Sequence, residues 1–200
     1  MFSAKQARLD ARRYRTHGVR GTARDLVELA GDVTGTSVLE VGGGIGAIAI
    51  ELLASGAERA TDVELSTQYE EEAQKLLAER GLSDRVERRL GDFAEDPGEP
   101  HDVVVMHRVV CCYPDVDALV GAAAAGARRR MVLTYPQERW YTRVGFRAIN
   151  LFMRLRGSEF RAFVHPVARI SAAARAKGLA LGERRPRGLF WESAAYERLG

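Results

Sequence analysis

SVLEVGGGIGAIAIELLASG, residues 37–56, decides the fold. Five residues with a β-branched, apolar bias run into the cluster Gly42-Gly43-Gly44-Ile45-Gly46, and an apolar helical stretch then continues to a stop at Gly56. A strand that ends in glycines and opens a helix is the first βα unit of a parallel sheet. Outward from it the alternation repeats. ERATDVEL (58–65) predicts a second strand, and Thr67-Gln68-Tyr69-Glu70 reads as a capping box for a helix reaching about Arg80. RVERRLGDF (85–93) predicts a third strand and its exit. DVVVMH (102–107) is apolar without interruption, as a strand covered on both faces should be. Asp115 or Asp117 starts the next helix, and RMVLTYP (130–136) is a fifth strand stopped by Pro136.

Two helices, around Ala4–Tyr14 and Thr22–Ala30, precede this core. Beyond Pro136, WYTRVGFRAINLFMRLR (140–156) places Tyr141, Val144, Ala148, Leu151 and Leu155 on one helical face and Arg143, Arg147, Asn150 and Arg154 on the other. Three readings fit that pattern: a helix packed on the sheet edge with a solvated basic face, a cap over a site, or a helix lying on a membrane surface. After the loop SEFRAFVHP (158–166) comes a helix over Val167–Lys177. LALGERR and LFWESAAYERL then read as two antiparallel strands joined around Pro186-Arg187-Gly188. The expectation is one α/β domain over 1–200, a three-layer sandwich on a mostly parallel seven-stranded sheet with an antiparallel C-terminal hairpin. Residues 1–24 and 137–166 are its cap elements.

The 200 residues are 46% apolar and 28% charged, which suits a globule with a proper core. No segment approaches the roughly 18 apolar residues of a membrane span, and the charged N-terminus lacks a secretory signal, so the expected location is cytoplasmic. Cys111 and Cys112 are neighbours, which excludes a disulfide framework, and no metal site is expected. The net charge of +3 conceals segregation. Residues 1–24 carry +6, residues 25–127 carry −14 and residues 128–200 carry +11. A uniformly basic nucleic-acid binder does not look like this.

The spacing Gly42-x-Gly44-x-x-Ala47 satisfies the dinucleotide fingerprint, and Glu64 lies near the distance expected of a ribose-binding acid. Glu40 separates the readings. Two residues before the first glycine, it would face a pyrophosphate with like charge, whereas a sulfonium or an amino group suits it.

These residues resemble the class I S-adenosylmethionine-dependent methyltransferases, over about Asp25 to Pro136. Glu40-x-Gly42-x-Gly44-x-Gly46 is similar to the family's first motif, where acid and glycines hold the methionine part of the cofactor. Glu64, with Leu65 after it, is similar to the acid that accepts both ribose hydroxyls. Asp92 in Gly91-Asp92-Phe93 resembles the acid that takes the adenine amino group, and Phe93 the side chain that covers the ring. His107, opening His107-Arg108-Val109-Val110, stands where the family lines the cofactor and the substrate entrance. The resemblance implies a Rossmann-like fold, S-adenosylmethionine as cofactor, and in-line transfer of its methyl to a nucleophile, O or N.

The family's Asn/Asp-Pro-Pro-aromatic tetrapeptide, its Pro-Cys nucleophile and its paired-acid metal site have no counterpart here, and aromatic–basic clusters for base stacking are few. A small-molecule acceptor is favoured over nucleic acid. His165 is the first candidate for a general base, because imidazole titrates near neutral pH. The other reading of His165 is a hydrogen bond that fixes the loop before Pro166. Tyr14, His17, His107 and Tyr113 are further candidates for the base. If the basic blocks converge on the site mouth, Arg143, Arg147 and Arg161 would anchor an anionic acceptor. Two rival functions are a nicotinamide-dependent oxidoreductase and a cofactor-binding partner protein without catalysis. The oligomeric state is not legible.

Overall fold

A computed structural model describes residues 3–200. Its seven strands are β1 (Ser37–Val41), β2 (Arg59–Glu64), β3 (Val86–Leu90), β4 (His101–Met106), β5 (Ala127–Pro136), β6 (Leu179–Arg187) and β7 (Trp191–Arg198). They form one sheet in the order β3-β2-β1-β4-β5-β7-β6. The first five run parallel, and β7 enters antiparallel between β5 and β6, with Met131 opposite Tyr196 and Pro136 opposite Trp191. This is the expected Rossmann-like sandwich with its antiparallel hairpin.

Strand alternation sorts the core into two layers. Val38, Ala60, Val103, Val105 and Val132 face one side, where they meet α1 (Ala4–His17), α2 (Thr22–Leu29), α3 (Ala47–Ala54) and α4 (Glu70–Glu79). Leu39, Val41, Val63, Val104 and Leu133 face the other and meet α5 (Val116–Gly126) and α7 (Val167–Arg175). Asp115 is the cap of α5, its Oδ1 accepting from the N–H groups of Asp117 and Ala118 at 3.1 Å each. At α4 the expected capping box does not form. The Ser66 hydroxyl caps a short 3₁₀ turn over Thr67–Tyr69, while Glu70 is drawn away to Arg88.

The segregated charge resolves into pairs between distant parts of the chain. Arg15 bonds Glu79 with both Nε and Nη2 at 2.8 Å, Arg185 reaches Glu28 at 2.8 Å, and Arg187 takes the buried carboxylate of Asp25. Basic flanks therefore close onto the acidic centre. The exposed members of this set contribute little to stability and chiefly fix partners.

One helix joins neither core layer. In α6 (Trp140–Leu155) Thr142 alone is buried. The basic face is solvated, as one reading of this helix expects, but the packing that reading expects is absent, because the apolar stripe carrying Val144, Leu151 and Leu155 is exposed as well. Periodicity gives which side chains share a face and says nothing of which face turns inward.

Candidate active site

The carboxyl ends of β1, β2 and β4 carry the candidate residues. β1 delivers the glycine loop to the amino end of α3, whose cap position is Gly46, in the left-handed region at φ 72°. Gly46 has no side chain to satisfy the helix's free N–H groups. Glu40 supplies the acceptor instead: its Oε2 takes the Ala49 N–H at 2.7 Å. At 2% exposure the Glu40 carboxyl is held well above the ordinary carboxylate range, by burial first and then by the negative charge of Asp62. The sequence places Glu40 facing the bound amino acid end, whereas the structure turns it beneath the loop and into α3.

Glu64, at the end of β2, folds onto the same loop. Its Oε2 accepts from Gly44 N–H and its Oε1 from Ser66 N–H, both at 2.8 Å. The following Leu65 is open to solvent at 69% exposure. At Gly42 and Gly43 the loop is packed too tightly for side chains. A Cβ on Gly42 would lie 2.6 Å from Val109, and one on Gly43 would lie 2.4 Å from an Asp62 oxygen.

Sequence reasoning missed the support beneath this loop. Asp62 and Arg88 sit opposite one another in the β2–β3 register. The guanidinium of Arg88 pairs with Asp62, donates from Nε to Glu70 at 2.9 Å and from Nη2 to the Gly44 carbonyl at 3.0 Å. Burial raises the Asp62 carboxyl to about 7 even though Arg88 pulls it down. The one available signal was Asp62 standing two residues before Glu64, on the same face of a strand.

Asp92 follows β3, and its Oδ1 accepts from Ala94 N–H at 2.9 Å. The Tyr113 hydroxyl donates to both its oxygens, at 3.1 and 3.2 Å. Burial, helped by that bond, pushes the Tyr113 phenol up to about 12, so it holds its proton at neutral pH. The Phe93 ring is buried in the layer with Val41 and Val63, below the strand ends. His107 follows β4, its Nε2 2.9 Å from the Thr22 hydroxyl. Burial, assisted by Arg108, lowers it to about 4, so the ring is uncharged at pH 7. Arg108 is the one described non-glycine residue with positive φ (59°), and its guanidinium lies 4.6 Å from the centre of the Trp191 ring. A strained residue beside a site was not legible in the sequence.

The candidate bases separate. Tyr14 is buried in the α1–α3 layer and donates to Glu51 Oε1 at 2.7 Å, with burial and that bond raising its pKa. His17 is exposed at the end of α1. His165 Nε2 lies 2.9 Å from the Tyr113 carbonyl, which makes it the protonated nitrogen, and its ring stacks on Phe163 at 5.5 Å. Nδ1 is left as the acceptor. Of the candidate anion anchors, Arg143 pairs with Glu138 at 2.5 Å and Arg161 turns back to the Ser158 and Phe160 carbonyls. Arg147 stands on the outer edge of α6. None of the three bonds His165 or the loop. Cys111 is a buried free thiol and Cys112 a half-buried one, 3.5 Å apart.

The decisive point is electrostatic. A dinucleotide's pyrophosphate needs the free N–H groups at the amino end of the helix after β1. Here that end is taken by Glu40, with Asp62 and Glu64 close by. A methyltransferase domain family matches residues 12–181. The chain belongs to that family, the class I S-adenosylmethionine-dependent methyltransferases. Solved structures share the fold at low identity. Magnesium protoporphyrin IX methyltransferase from Synechocystis PCC 6803, with bound SAH, is 22% identical with TM-score 0.72, over 89% of this chain and 82% of that one. A geranyl diphosphate methyltransferase in complex with GPP and sinefungin is 15% identical with TM-score 0.71, over 88% and 76%. An O-methyltransferase family 2 protein from Planctomyces limnophilus DSM 3776, in complex with apigenin, is 16% identical with TM-score 0.72, over 100% and 62%. No curated protein matches the sequence. The methyltransferase uses S-adenosylmethionine, and its loop fits that cofactor: Gly42 and Gly43 where a Cβ would intrude, and the Glu64 carboxylate where a phosphate would be repelled.

Proposed function

We propose that this methyltransferase methylates an oxygen or nitrogen of a small molecule carrying an anionic group. The observation that carries the reading is the glycine loop backed by Glu40, Asp62 and Glu64, with helix α3 already capped. Glu64 would hold the ribose, Asp92 the adenine amino group, and the backbone of Gly42 and Gly44 the methionine part, with Leu65 over the ring. When bound, the cofactor supplies a methyl group already activated for displacement, so the protein's task is alignment and proton removal.

His165 is the residue assigned to take the proton, through Nδ1. The bond from Nε2 to the Tyr113 carbonyl and the stack on Phe163 fix the ring's direction. The acceptor's negative group has two candidate partners at the strand ends. Arg108 follows β4. Arg139 follows β5 and lines a cavity of about 510 Å³ together with Gln137, Arg184 and Glu192. His165→Gln is expected to lower kcat by about 10²-fold. Equal kcat in the variant would reduce His165 to a loop fastener. Small-molecule acceptors are supported by the apigenin and GPP held by the structural neighbours.

The cofactor assignment is tested directly. Removing the Glu64 carboxylate should weaken S-adenosylhomocysteine binding by about 1–3 kcal/mol, the cost of orphaning polar partners of a charged group. Titration calorimetry of Glu64→Ala reads this, and unchanged affinity would remove the residue from the site. Parallel titration with NAD should give no heat of binding, which separates the reading from an oxidoreductase. A screen of anionic and neutral acceptors for methyl transfer separates it from a partner protein without catalysis.

A further inference from the structure

We infer that α6 docks this methyltransferase on an anionic lipid bilayer, lying in the interface with its outward apolar face down. Trp140, Val144, Leu151, Phe152 and Leu155 are all more than half exposed. At 100° per residue they fall within an arc of about 120°. Tyr141 carries that surface onto the β6–β7 turn, meeting the Phe190 ring edge-on with centroids 6.1 Å apart, next to Leu189, which is 67% exposed. The patch therefore spans two elements.

The charges bordering it choose the occupant. Arg143, Arg147 and Arg154 line one edge of the stripe, and Arg156 lies on the other with its guanidinium 4.7 Å from the centre of the Phe152 ring. No carboxylate occurs within α6, and among the described residues Arg147 and Arg154 make no ion pair or side-chain hydrogen bond. An apolar stripe between arginines, with a tryptophan at one end, matches the layered chemistry of a bilayer surface: acyl chains below, phosphates at the height of the guanidinium groups. A second copy of the same face would set arginine edge against arginine edge in many pairings. Among the described residues nothing in the chain covers the patch. Among the described residues no helix is long and apolar enough to cross a membrane, so the contact is one of lying on the surface.

α6 begins four residues after β5 ends, at the same end of the sheet as the glycine loop. Docking would thus bring the site toward the lipid, where an apolar acceptor with an anionic group would be held. This last consequence rests on the proposed function; the docking does not.

Vesicle sedimentation tests it with the whole protein. Vesicles of phosphatidylcholine containing one-third phosphatidylglycerol should bind the wild type, and vesicles of phosphatidylcholine alone should not. Leu151→Glu with Leu155→Glu should lower the partition coefficient at least about tenfold, as should Arg147→Gln with Arg154→Gln, the latter losing most of the salt dependence. Tryptophan emission should shift to the blue on binding, and Trp140→Phe should abolish that shift although Trp191 remains. S-adenosylhomocysteine affinity should be the same in all these variants, which reports the fold and the site separately. Absence of binding to the anionic vesicles, or equal binding to both kinds unaffected by the substitutions, overturns the proposal. So does a micromolar dimer in sedimentation velocity that Leu151→Glu breaks, since the face would then belong to a second copy.

Discussion

Replacing Arg88 by methionine is expected to lower the unfolding free energy by about 3–5 kcal/mol at pH 8, the cost of stranding a buried charge after removing its partner. Arg88 is the one cation holding Asp62, Glu70 and the Gly44 carbonyl together beneath the loop. The loss should shrink in acid, and the sign follows from Asp62. Its carboxyl stands at about 7 in the folded protein against an ordinary value of 3.8. A group raised on folding stabilises fully below its unfolded pKa and ceases to do so as pH rises through the folded one. Without Arg88 the folded value climbs further, so Asp62 must either stay protonated or carry an unpaired charge at pH 8. At pH 4 it is protonated in both proteins, and the two should differ much less. Denaturant titrations at the two pH values read this directly; a pH-independent loss would assign the effect to packing alone.

Gly44→Val should abolish S-adenosylhomocysteine binding, a loss of more than about 100-fold, by taking away the backbone conformation that the site requires. Gly44 sits at φ 59°, where a β-branched side chain is strained by roughly 1–3 kcal/mol. Space is not the obstacle, because a Cβ there would meet the Tyr69 ring at an ordinary 3.5 Å. Relieving the strain would swing a peptide whose N–H is bonded to Glu64 and whose carbonyl is bonded to Arg88. One substitution would thus unfasten Glu64 and the buried cation together. Calorimetry should show no heat of binding, and circular dichroism should show a folded chain. Gly44→Ala, without β-branching, should fall between the two. Full affinity in Gly44→Val would separate the loop's conformation from binding.

How legible each part was depended on how far its cause extended along the chain. The strand–glycine–helix unit at 37–56 was readable because strand, turn and helix signals lie within twenty consecutive residues. That Glu40 and Glu64 lie against the glycine loop was readable from their spacing to the glycines, yet the direction of Glu40 was not. It depends on which acceptor is nearest to the free amides of α3. The Asp62–Arg88 pair joins residues on neighbouring strands and exists only once the β2–β3 register is fixed. Tyr14 was placed with the cap because a tyrosine in an N-terminal basic helix has two possible sides, and the core took it. Arg108 gave no sign at all, since a positive φ at a non-glycine residue is imposed by its surroundings. There the bond from its N–H to the Thr134 hydroxyl, at 2.7 Å, holds the turn.

The position of β7 has a consequence for how the protein is made. This strand is seventh in sequence but interior in space, hydrogen-bonded on both sides. A ribosome delivers β1 to β5 first, and until Arg198 has emerged β5 presents an unpaired edge lined by Met131, Val132 and Leu133. Such an edge on a half-made sheet is the template on which nascent chains stick to one another. The Arg187–Asp25 bond adds a second long-range closure, joining residues 162 positions apart. Final assembly therefore waits for β7 and has a high contact order, slow in proportion, and the interval before it is when this chain would depend on chaperones.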